Sequence, residues 1–264
     1  MHVLHVGPRG GAHEGFRAFW SQASDLVGTS EVLEVDPAVA FRRLQDLLRW
    51  YMKKSVIDLL VLHWDQGISA GIWATTSSRT NVVVHRYAPT VLSPDTVSRI
   101  SSARVSAFVV PTAGASLLVE AAGIKKKKVH PMWMPSGQGT AEELEPVIGV
   151  FAESGSSSTA SRLRKHMKRH GGPEVKIFTS LPVTSAVLLD VSGHPAAVAD
   201  ALSQGTRVLL PDTELNRIVY NDSVRYYTET SLPDAALRAL GAEPPAVQAV
   251  QTEELAKLYK ESIQ

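Results

Sequence analysis

The chain contains no cysteine and no long apolar run. Without cysteine, its 264 residues cannot form disulfide bonds, thiolate nucleophiles or cysteine-based zinc and iron–sulfur sites. No segment reaches about 18 uninterrupted apolar residues, and the N-terminal MHVLHVGPRGG has neither a basic leader nor an apolar signal core. These absences predict a soluble, unsecreted protein without an integral membrane segment, located in the cytoplasm, or in the host cytoplasm if the protein is viral.

An excess of charge of either sign is also lacking. Lys and Arg number 27 against 26 Asp and Glu, so the whole molecule has no field that attracts nucleic acid or an acidic membrane, and such attraction requires a local patch. Hydrophobic residues make up 44% and charged residues 20%, which excludes a largely disordered or collagen-like chain. The length suits one large α/β unit or two halves of about 130 residues each.

Short β-branched runs alternate with longer amphipathic stretches, a pattern typical of parallel strands joined by helices. The predicted strands are His2–Val6, Glu31–Val35, Ile57–His63, Asn81–His85, Ser106–Val110, Pro146–Phe151, Val175–Phe178, Ala186–Leu189, Thr206–Leu210 and Val224–Tyr227. The predicted helices are Glu14–Leu26, Pro37–Lys53 with Asp36 as its N-cap, Thr159–Arg169, Pro195–Gln204 and Ala246–Ser262. The predicted fold class is α/β.

A polar, turn-rich stretch at Met134–Glu145 interrupts this alternation, which then restarts. We interpret the stretch as a linker. It predicts two tandem Rossmann-like domains, residues 1–135 and 136–264, rather than one long sheet.

Polar and glycine-rich segments follow the strands of the first half, where ligands of open parallel sheets bind. Gly7–Gly11 follows the first strand but lacks the G-x-G-x-x-G spacing, so it is either a loop that approaches a ligand closely or a tight turn. His63–Gly67 and His85–Tyr87 follow two later strands. Their histidines could bind a hydroxyl or relay a proton, although a single histidine of this kind is more often a structural residue.

In the second half, Glu153–Ser158 connects a strand to a helix start, which suits a phosphate, although a surface loop is an equal alternative. The helix carries Arg164 and Lys165 among other basic residues, and Ser192–Pro195 forms a second loop before a helix. Lys125–Lys128 is a basic run that we expect to face solvent. The sequence has no H-E-x-x-H motif, nucleophile elbow, P-loop or metal-ligand set.

The order of these elements resembles GT-B-fold nucleotide-sugar glycosyltransferases, in particular the retaining group that includes glycogen and sucrose synthases. The likeness is carried by VLHVGPRGG, IDLLVLHWDQG, NVVVHRYAP, SAFVVPTAGASLLVEAAGIKKKKVHPMWMPSG and ADALSQGTRVLLPD, and it covers nearly the whole chain. The resemblance implies a central cleft between an acceptor-side first domain and a second domain that binds a nucleotide sugar, UDP- or GDP-linked, as co-substrate without a further cofactor. The acceptor and the oligomeric state are open.

The resemblance implies that the glycine-rich loop approaches the donor and that His85 lies beside the transferred sugar. The family's paired glutamates fall on Ser192 and Asp200, so the first carboxylate is absent and the second is shortened. We assign catalysis to His85 and Asp65, and acceptor binding to His63, Trp64 and Arg86. We assign donor binding to Gly10, Gly11, Ser154, Gly155, Arg164, Lys165, Ser192, Gly193, His194 and Asp200.

The predicted function is transfer of a hexosyl or pentosyl group to an acceptor hydroxyl. If configuration is inverted, Asp65 or His85 receives the hydroxyl proton, and if it is retained no strong enzyme base is required. One alternative places the acceptor on DNA, as in virus-type glucosyltransferases acting on hydroxymethylated bases. Another is a non-catalytic module that keeps the fold and has lost the chemistry.

Overall fold

The computed structural model describes residues 1–10, 16–63, 71, 80–87, 105–132, 144–152, 155–180, 183–190, 195–245 and 251–263. The chain divides into two compact units, which contain parallel sheets of six and five strands. Unit 1 comprises residues 1–134 together with 251–264, and unit 2 comprises residues 135–250. The predicted α/β class with two Rossmann-like domains is confirmed.

The sheet of unit 1 has the strand order β2-β1-β3-β4-β5-β6, and all its pairings are parallel. Its strands are β1 (His2–Pro8), β2 (Thr29–Val35), β3 (Leu59–Leu62), β4 (Asn81–His85), β5 (Val105–Val110) and β6 (Val129–Pro131). Every residue of β3 is buried, as expected for a strand covered on both faces. β6 was not among the strands predicted from the pattern, because three residues are too few to show a period.

Among the described residues, the helices between these strands are α1 (Arg17–Asp25), α2 (Phe41–Lys54) and α3 (Ala113–Ala121). The prediction that α2 begins after Asp36 is wrong. The Asp36 carboxylate accepts the Ala38 N–H at 2.8 Å and the Asp36 carbonyl accepts the Val39 N–H at 2.9 Å. These two bonds close a local turn, so the helix begins four residues later than the Pro37 signal indicated.

Unit 2 has the strand order β11-β10-β9-β7-β8, again with parallel pairings only. Its strands are β7 (Glu145–Phe151), β8 (Val175–Phe178), β9 (Ser185–Asp190), β10 (Arg207–Pro211) and β11 (Arg225–Tyr227). Its helices are α4 (Ser158–His170), α5 (Pro195–Ser203), α6 (Glu214–Tyr220) and α7 (Leu232–Leu240). The core packs α4 and α7 against the sheet through Ile148, Leu163 and Ala236, all of them buried.

The last helix, α8 (Thr252–Glu261), belongs to unit 1, whereas we had predicted that the second domain runs to the end of the chain. Its apolar face, which includes Leu255 and Tyr259, is buried, and the helix packs against α1. The Ser106 hydroxyl donates to the Ser262 carbonyl at 3.1 Å, which ties the helix end to β5. Amphipathic pattern identifies such a helix but does not say which sheet it covers.

Each sheet has one point at which the strand order reverses. In unit 1 the chain passes from β1 to β2 on one side and then to β3 on the other, so the reversal lies between β1 and β3. In unit 2 it lies between β7 and β9 for the same reason. Open α/β sheets bind ligands at such a reversal point, outside the carboxyl ends of the strands.

Gly149 of β7 provides a test of the packing in unit 2. A Cβ atom at this position would lie 2.9 Å from a ring carbon of Phe178 and would also overlap the Ser185 hydroxyl. Because the core must shift to accept it, we expect Gly149→Ala to lower the free energy of unfolding by about 1–3 kcal/mol, measured by urea denaturation. The control is Gly241→Ala, where φ is −83° and the nearest atom is 3.9 Å away, with an expected change within about 0.5 kcal/mol. Equal stability of both variants would contradict this packing.

Candidate functional site

Three buried histidines lie in the central strands of unit 1 or at their carboxyl ends. His5 is in β1, His63 directly follows β3, and His85 is the last residue of β4. All three are buried, and their relative exposures are at most 5%. Because β1 and β3 flank the reversal point, His5 and His63 lie directly beneath the predicted ligand crevice of unit 1.

A series of hydrogen bonds connects these histidines, and it begins at α1 and runs into the sheet. The Ser24 hydroxyl donates to the Trp20 carbonyl at 2.9 Å and lies 2.7 Å from His5 Nε2. His5 Nδ1 in turn lies 2.9 Å from His63 Nε2. The Trp20 ring stacks on His5 with the ring centroids 4.2 Å apart, so the polar edge of the imidazole is bonded and its face is packed.

At its outer end, the series continues through two tyrosines. His63 Nδ1 lies 2.6 Å from Tyr87 Oη, which is 3.4 Å from His85 Nδ1. His85 Nε2 lies 2.9 Å from the hydroxyl of Tyr259 on α8. We call the six residues Ser24, His5, His63, Tyr87, His85 and Tyr259 the His–Tyr network.

The direction of every bond in the His–Tyr network follows from one fixed acceptor. A backbone carbonyl can only accept, so the Ser24 proton goes to Trp20 and Ser24 Oγ accepts from His5 Nε2–H. A neutral imidazole has one N–H and one acceptor nitrogen, so His5 Nδ1 accepts from His63 Nε2–H. Continuing outward, the hydroxyl of Tyr87 donates to His63 Nδ1, His85 Nδ1–H donates to Tyr87, and the hydroxyl of Tyr259 donates to His85 Nε2. Each proton of the network is used once.

Neutral imidazoles satisfy this pattern of bonds, and burial opposes a charge on the outer members of the network. Burial lowers the pKa of His85 to about 3 and raises the pKa values of Tyr87 and Tyr259 well above the usual value. A further proton on an imidazole would also turn an accepting nitrogen into a donor that faces another donor. Both effects oppose ionisation, so the network links strand ends to α1 and α8 without a buried charge.

His63 and His85 therefore have hydrogen-bond partners inside the protein. Arg86 is also buried, and its backbone N–H donates to the Val109 carbonyl at 2.9 Å. Gly10 is exposed with a φ of +70°, a left-handed conformation that favours glycine in the turn after β1. The assigned roles of these four residues in acceptor binding, catalysis and donor binding stay predictions.

In unit 2, the predicted phosphate loop leads into α4 at the reversal point. Gly155 is exposed with a φ of +70°, and the Ser157 hydroxyl accepts the Ala160 N–H at 3.1 Å as the N-cap of α4. The remaining amides of the first helical turn have no intrahelical acceptor and point out of the helix start. Helix starts of this kind favour anions.

Two arginines of α4 point in different directions. Arg164 donates from Nε and Nη2 to the Val175 carbonyl at 3.2 and 3.0 Å, which places its guanidinium at the amino end of β8, away from the Gly155 loop. Arg162 lies 3.6 Å from the Glu229 carboxylate, two residues beyond the carboxyl end of β11. The structure therefore brings Arg162, rather than the predicted Arg164, to the carboxyl edge, while Lys165 is exposed on the same helix.

Asp200, which stands at the position of a family glutamate, is buried within α5. Its carboxylate accepts the Val183 N–H at 3.0 Å and the Gln204 side-chain amide at 2.8 Å. These bonds join α5 to the residues that precede β9. Its predicted contact with the donor stays a prediction.

Seven predicted site residues lie outside the described residues. They are Gly11, Trp64, Asp65, Ser154, Ser192, Gly193 and His194. Each of them lies within two residues of a described position in sequence.

Sequence reasoning missed several residues that matter here. Tyr259 lies 174 positions from His85, and the two meet only because α8 packs on unit 1. Ser24 and Tyr87 look like ordinary helix and loop residues until their partners are known. The one available signal was the shared strand-end position of the histidines, because neighbouring strand ends lie on the same sheet edge.

Neither a metal site nor a membrane-spanning helix is found in the described part of the chain. No group of three or more acidic, histidine or cysteine side chains there could hold a metal ion. Within the same residues, no helix combines the length and apolarity that crossing a bilayer requires.

Solved structures share this fold at low sequence identity. Anabaena HepE, in complex with UDP-glucose, aligns with a TM-score of 0.62 at 12% identity, covering 99% of this chain and 98% of HepE. The lipopolysaccharide outer core galactosyltransferase WaaB aligns at 0.57 with 10% identity, covering 100% of this chain and 99% of WaaB. A UDP-N-acetylglucosamine 2-epimerase of Rickettsia bellii aligns at 0.60 with 10% identity, covering 99% and 94%.

No protein-family model and no curated protein matches the sequence. The structural likeness establishes the GT-B fold. It does not single out the retaining glycogen- and sucrose-synthase-like group, because the similar structures include an epimerase as well as a galactosyltransferase.

Tyr259→Phe tests the His–Tyr network. The change removes the hydroxyl that donates to His85 Nε2 and leaves a buried acceptor without it, so we expect the free energy of unfolding to fall by about 1–3 kcal/mol. The control is Tyr51→Phe on half-buried Tyr51 of α2, with an expected change within about 0.5 kcal/mol. If chemical denaturation shows the same small change for both, the Tyr259 hydroxyl is not bonded as described.

The neutrality of His85 predicts a pH dependence of stability. Its pKa is about 3 in the folded chain and 6.5 in the unfolded chain, so between these values the unfolded chain binds the extra proton. The contribution is complete above pH 6.5 and is lost as pH falls toward 3. We expect His85→Gln to reduce the slope of unfolding free energy against pH by up to about 1.4 kcal/mol per unit. Identical slopes in urea titrations of both proteins would contradict this.

Proposed function

We propose that the chain is a glycosyltransferase that moves a sugar from a nucleoside diphosphate to an acceptor hydroxyl. The observation that carries the proposal is the position of the predicted donor loop. It leaves β7 at the reversal point of unit 2 and leads into the start of α4. A fold whose solved examples include a UDP-glucose complex supports the same assignment and favours UDP as the nucleotide.

The start of α4 supplies what a diphosphate requires. Ser157 holds one amide of the first turn, and the earlier amides can donate to phosphate oxygens beside Gly155. Arg162 adds a positive charge near the same edge, and a bound diphosphate would compete with Glu229 for it. These groups would stabilise the charge that develops on the leaving diphosphate.

We assign the acceptor to the carboxyl edge of unit 1, beside Gly10 and His63. In the transfer, the bond between the anomeric carbon and the β-phosphate oxygen breaks, and the acceptor oxygen bonds to that carbon. If configuration is inverted, we propose Asp65 as the group that takes the acceptor proton. His85 is the weaker choice, because burial lowers its pKa to about 3 and its Nε2 already accepts from Tyr259.

Three other functions are alternatives that one incubation experiment can distinguish from sugar transfer. Epimerisation of a nucleotide sugar is one, because an epimerase shares the fold. Transfer to a hydroxymethylated base in DNA is a second, and binding without turnover is a third. Incubation with UDP-glucose and UDP-N-acetylglucosamine, with and without hydroxymethylated DNA, distinguishes them: UDP release supports transfer or hydrolysis, an isomerised sugar supports epimerisation, and neither product supports a binding module.

Donor binding is tested with Arg162→Gln. We expect the variant to bind UDP about tenfold more weakly in calorimetry, because a cation near the diphosphate is removed. Arg169→Gln on the same helix removes the same charge about 10 Å further along and should leave the affinity unchanged. Equal weakening by both variants would indicate nonspecific attraction, and no binding of UDP or GDP by the unaltered chain would refute the proposed donor site.

A further inference from the structure

An open cavity of about 460 Å³ lies at the amino ends of β3 and β4 in unit 1, opposite the edge that carries the His–Tyr network. Its lining includes Lys53, Lys54, Val56, Asn81 and Ile263. Val56 is 85% exposed. Ile263 is also exposed on the same lining.

An exposed tryptophan adjoins this cavity. Trp50 of α2 is 50% exposed, and the Lys54 ammonium lies 4.2 Å from the centre of its ring. Since Lys54 lines the cavity, Trp50, Lys54 and Val56 form one continuous surface in which apolar and basic groups alternate.

A second group of lysines lies on the same sheet edge. The Lys128 ammonium donates to the Val105 carbonyl at 2.6 Å, at the amino end of β5. Val105 pairs with Val82, the residue after cavity-lining Asn81. Adjacent strands are about 4.8 Å apart, so the lysine run is a neighbour of the cavity. We call Trp50, Lys53, Lys54, Val56, Ile263 and Lys125–Lys128 the amino-edge patch.

The amino-edge patch has a surplus of positive charge. Burial lowers the pKa of Lys128, and the ammonium groups of Lys125 and Lys127 lower it further, which shows that these charges lie close together. Two of the described carboxylates closest to the patch in sequence or on its lining are Asp58 and Glu261. Asp58 accepts the His2 N–H at 2.8 Å, and Glu261 lies 3.8 Å from Lys257. Both carboxylates already interact with other groups, and the six lysines of the patch outnumber them.

We propose that the amino-edge patch docks unit 1 on an anionic lipid surface. Lysines beside exposed tryptophan and aliphatic groups match the two layers of a bilayer interface, whose headgroups attract cations and whose acyl boundary accepts apolar side chains. A nucleic acid would use the lysines through its phosphates. It would gain nothing from Val56 and Ile263, so the exposed aliphatic groups favour the lipid surface.

Docking at this edge leaves the proposed acceptor site open. The five residues of β4 separate the two sheet edges by about 17 Å. The lipid surface would therefore hold unit 1 without covering the carboxyl ends of the strands. The inference is independent of the proposed transferase activity.

The test is co-sedimentation of the full chain with vesicles of phosphatidylcholine alone or with about one-third phosphatidylserine. We expect binding to the anionic vesicles only. Combined Lys53→Gln, Lys54→Gln and Lys127→Gln should weaken it more than about tenfold, because each lysine near an anionic surface contributes severalfold. The control with the same loss of charge is combined Lys165→Gln, Lys168→Gln and Arg169→Gln on α4, which should change binding less than about twofold.

The apolar contribution has its own test. Val56→Ser alters an exposed residue, so folding is retained, and vesicle binding should weaken severalfold. Brominated lipid should quench tryptophan fluorescence in the unaltered chain and quench less in Trp50→Phe. Absent or lipid-independent vesicle binding, or equal loss in the α4 control, would overturn the proposal. Binding of duplex DNA that needs the lysines but not Val56, without vesicle binding, would overturn it in favour of nucleic acid.

Discussion

All strand pairings of the two sheets are parallel, and this constraint assigns different chemistry to the two edges of each sheet. Carboxyl ends and helix starts gather on one edge, where backbone amides and strand-end side chains can meet a ligand. Helix ends and strand starts gather on the other edge. In unit 1 that opposite edge carries lysines and exposed apolar groups, so ligand binding and surface attachment can be separated within one sheet.

The His–Tyr network shows how a polar group can be buried at a strand end without a charge. Trp20 provides a carbonyl that fixes the direction of the Ser24 proton, and every later bond follows from it. The network connects α1, β1, β3, β4 and α8, so the last helix contributes to the shape of the strand ends although it follows unit 2 in sequence. Both ring nitrogens of His63 and of His85 have hydrogen-bond partners inside the protein.

The sequence predicted the alternation of strands and helices well, because buried parallel strands such as β3 and β4 are compact apolar runs. It failed where local signals compete with packing. Asp36 and Pro37 formed a turn rather than a helix start, and α8 joined the first sheet. The strand-end position of His63 and the position of Gly155 before a helix start followed from the pattern of strands and helices. The partnership of Tyr259 with His85 and the direction of Arg162 depend on contacts that no sequence pattern records.

The proposed activity depends on binding of a nucleoside diphosphate at the reversal point of unit 2. Arg162 and the first turn of α4 lie at that edge, and they offer amide donors and a cation together. A crystal structure of the chain with UDP tests this directly. The account predicts that the diphosphate accepts hydrogen bonds from backbone amides at the start of Ser158–His170. UDP bound only in unit 1, or at the amino ends of the unit 2 strands, would contradict it.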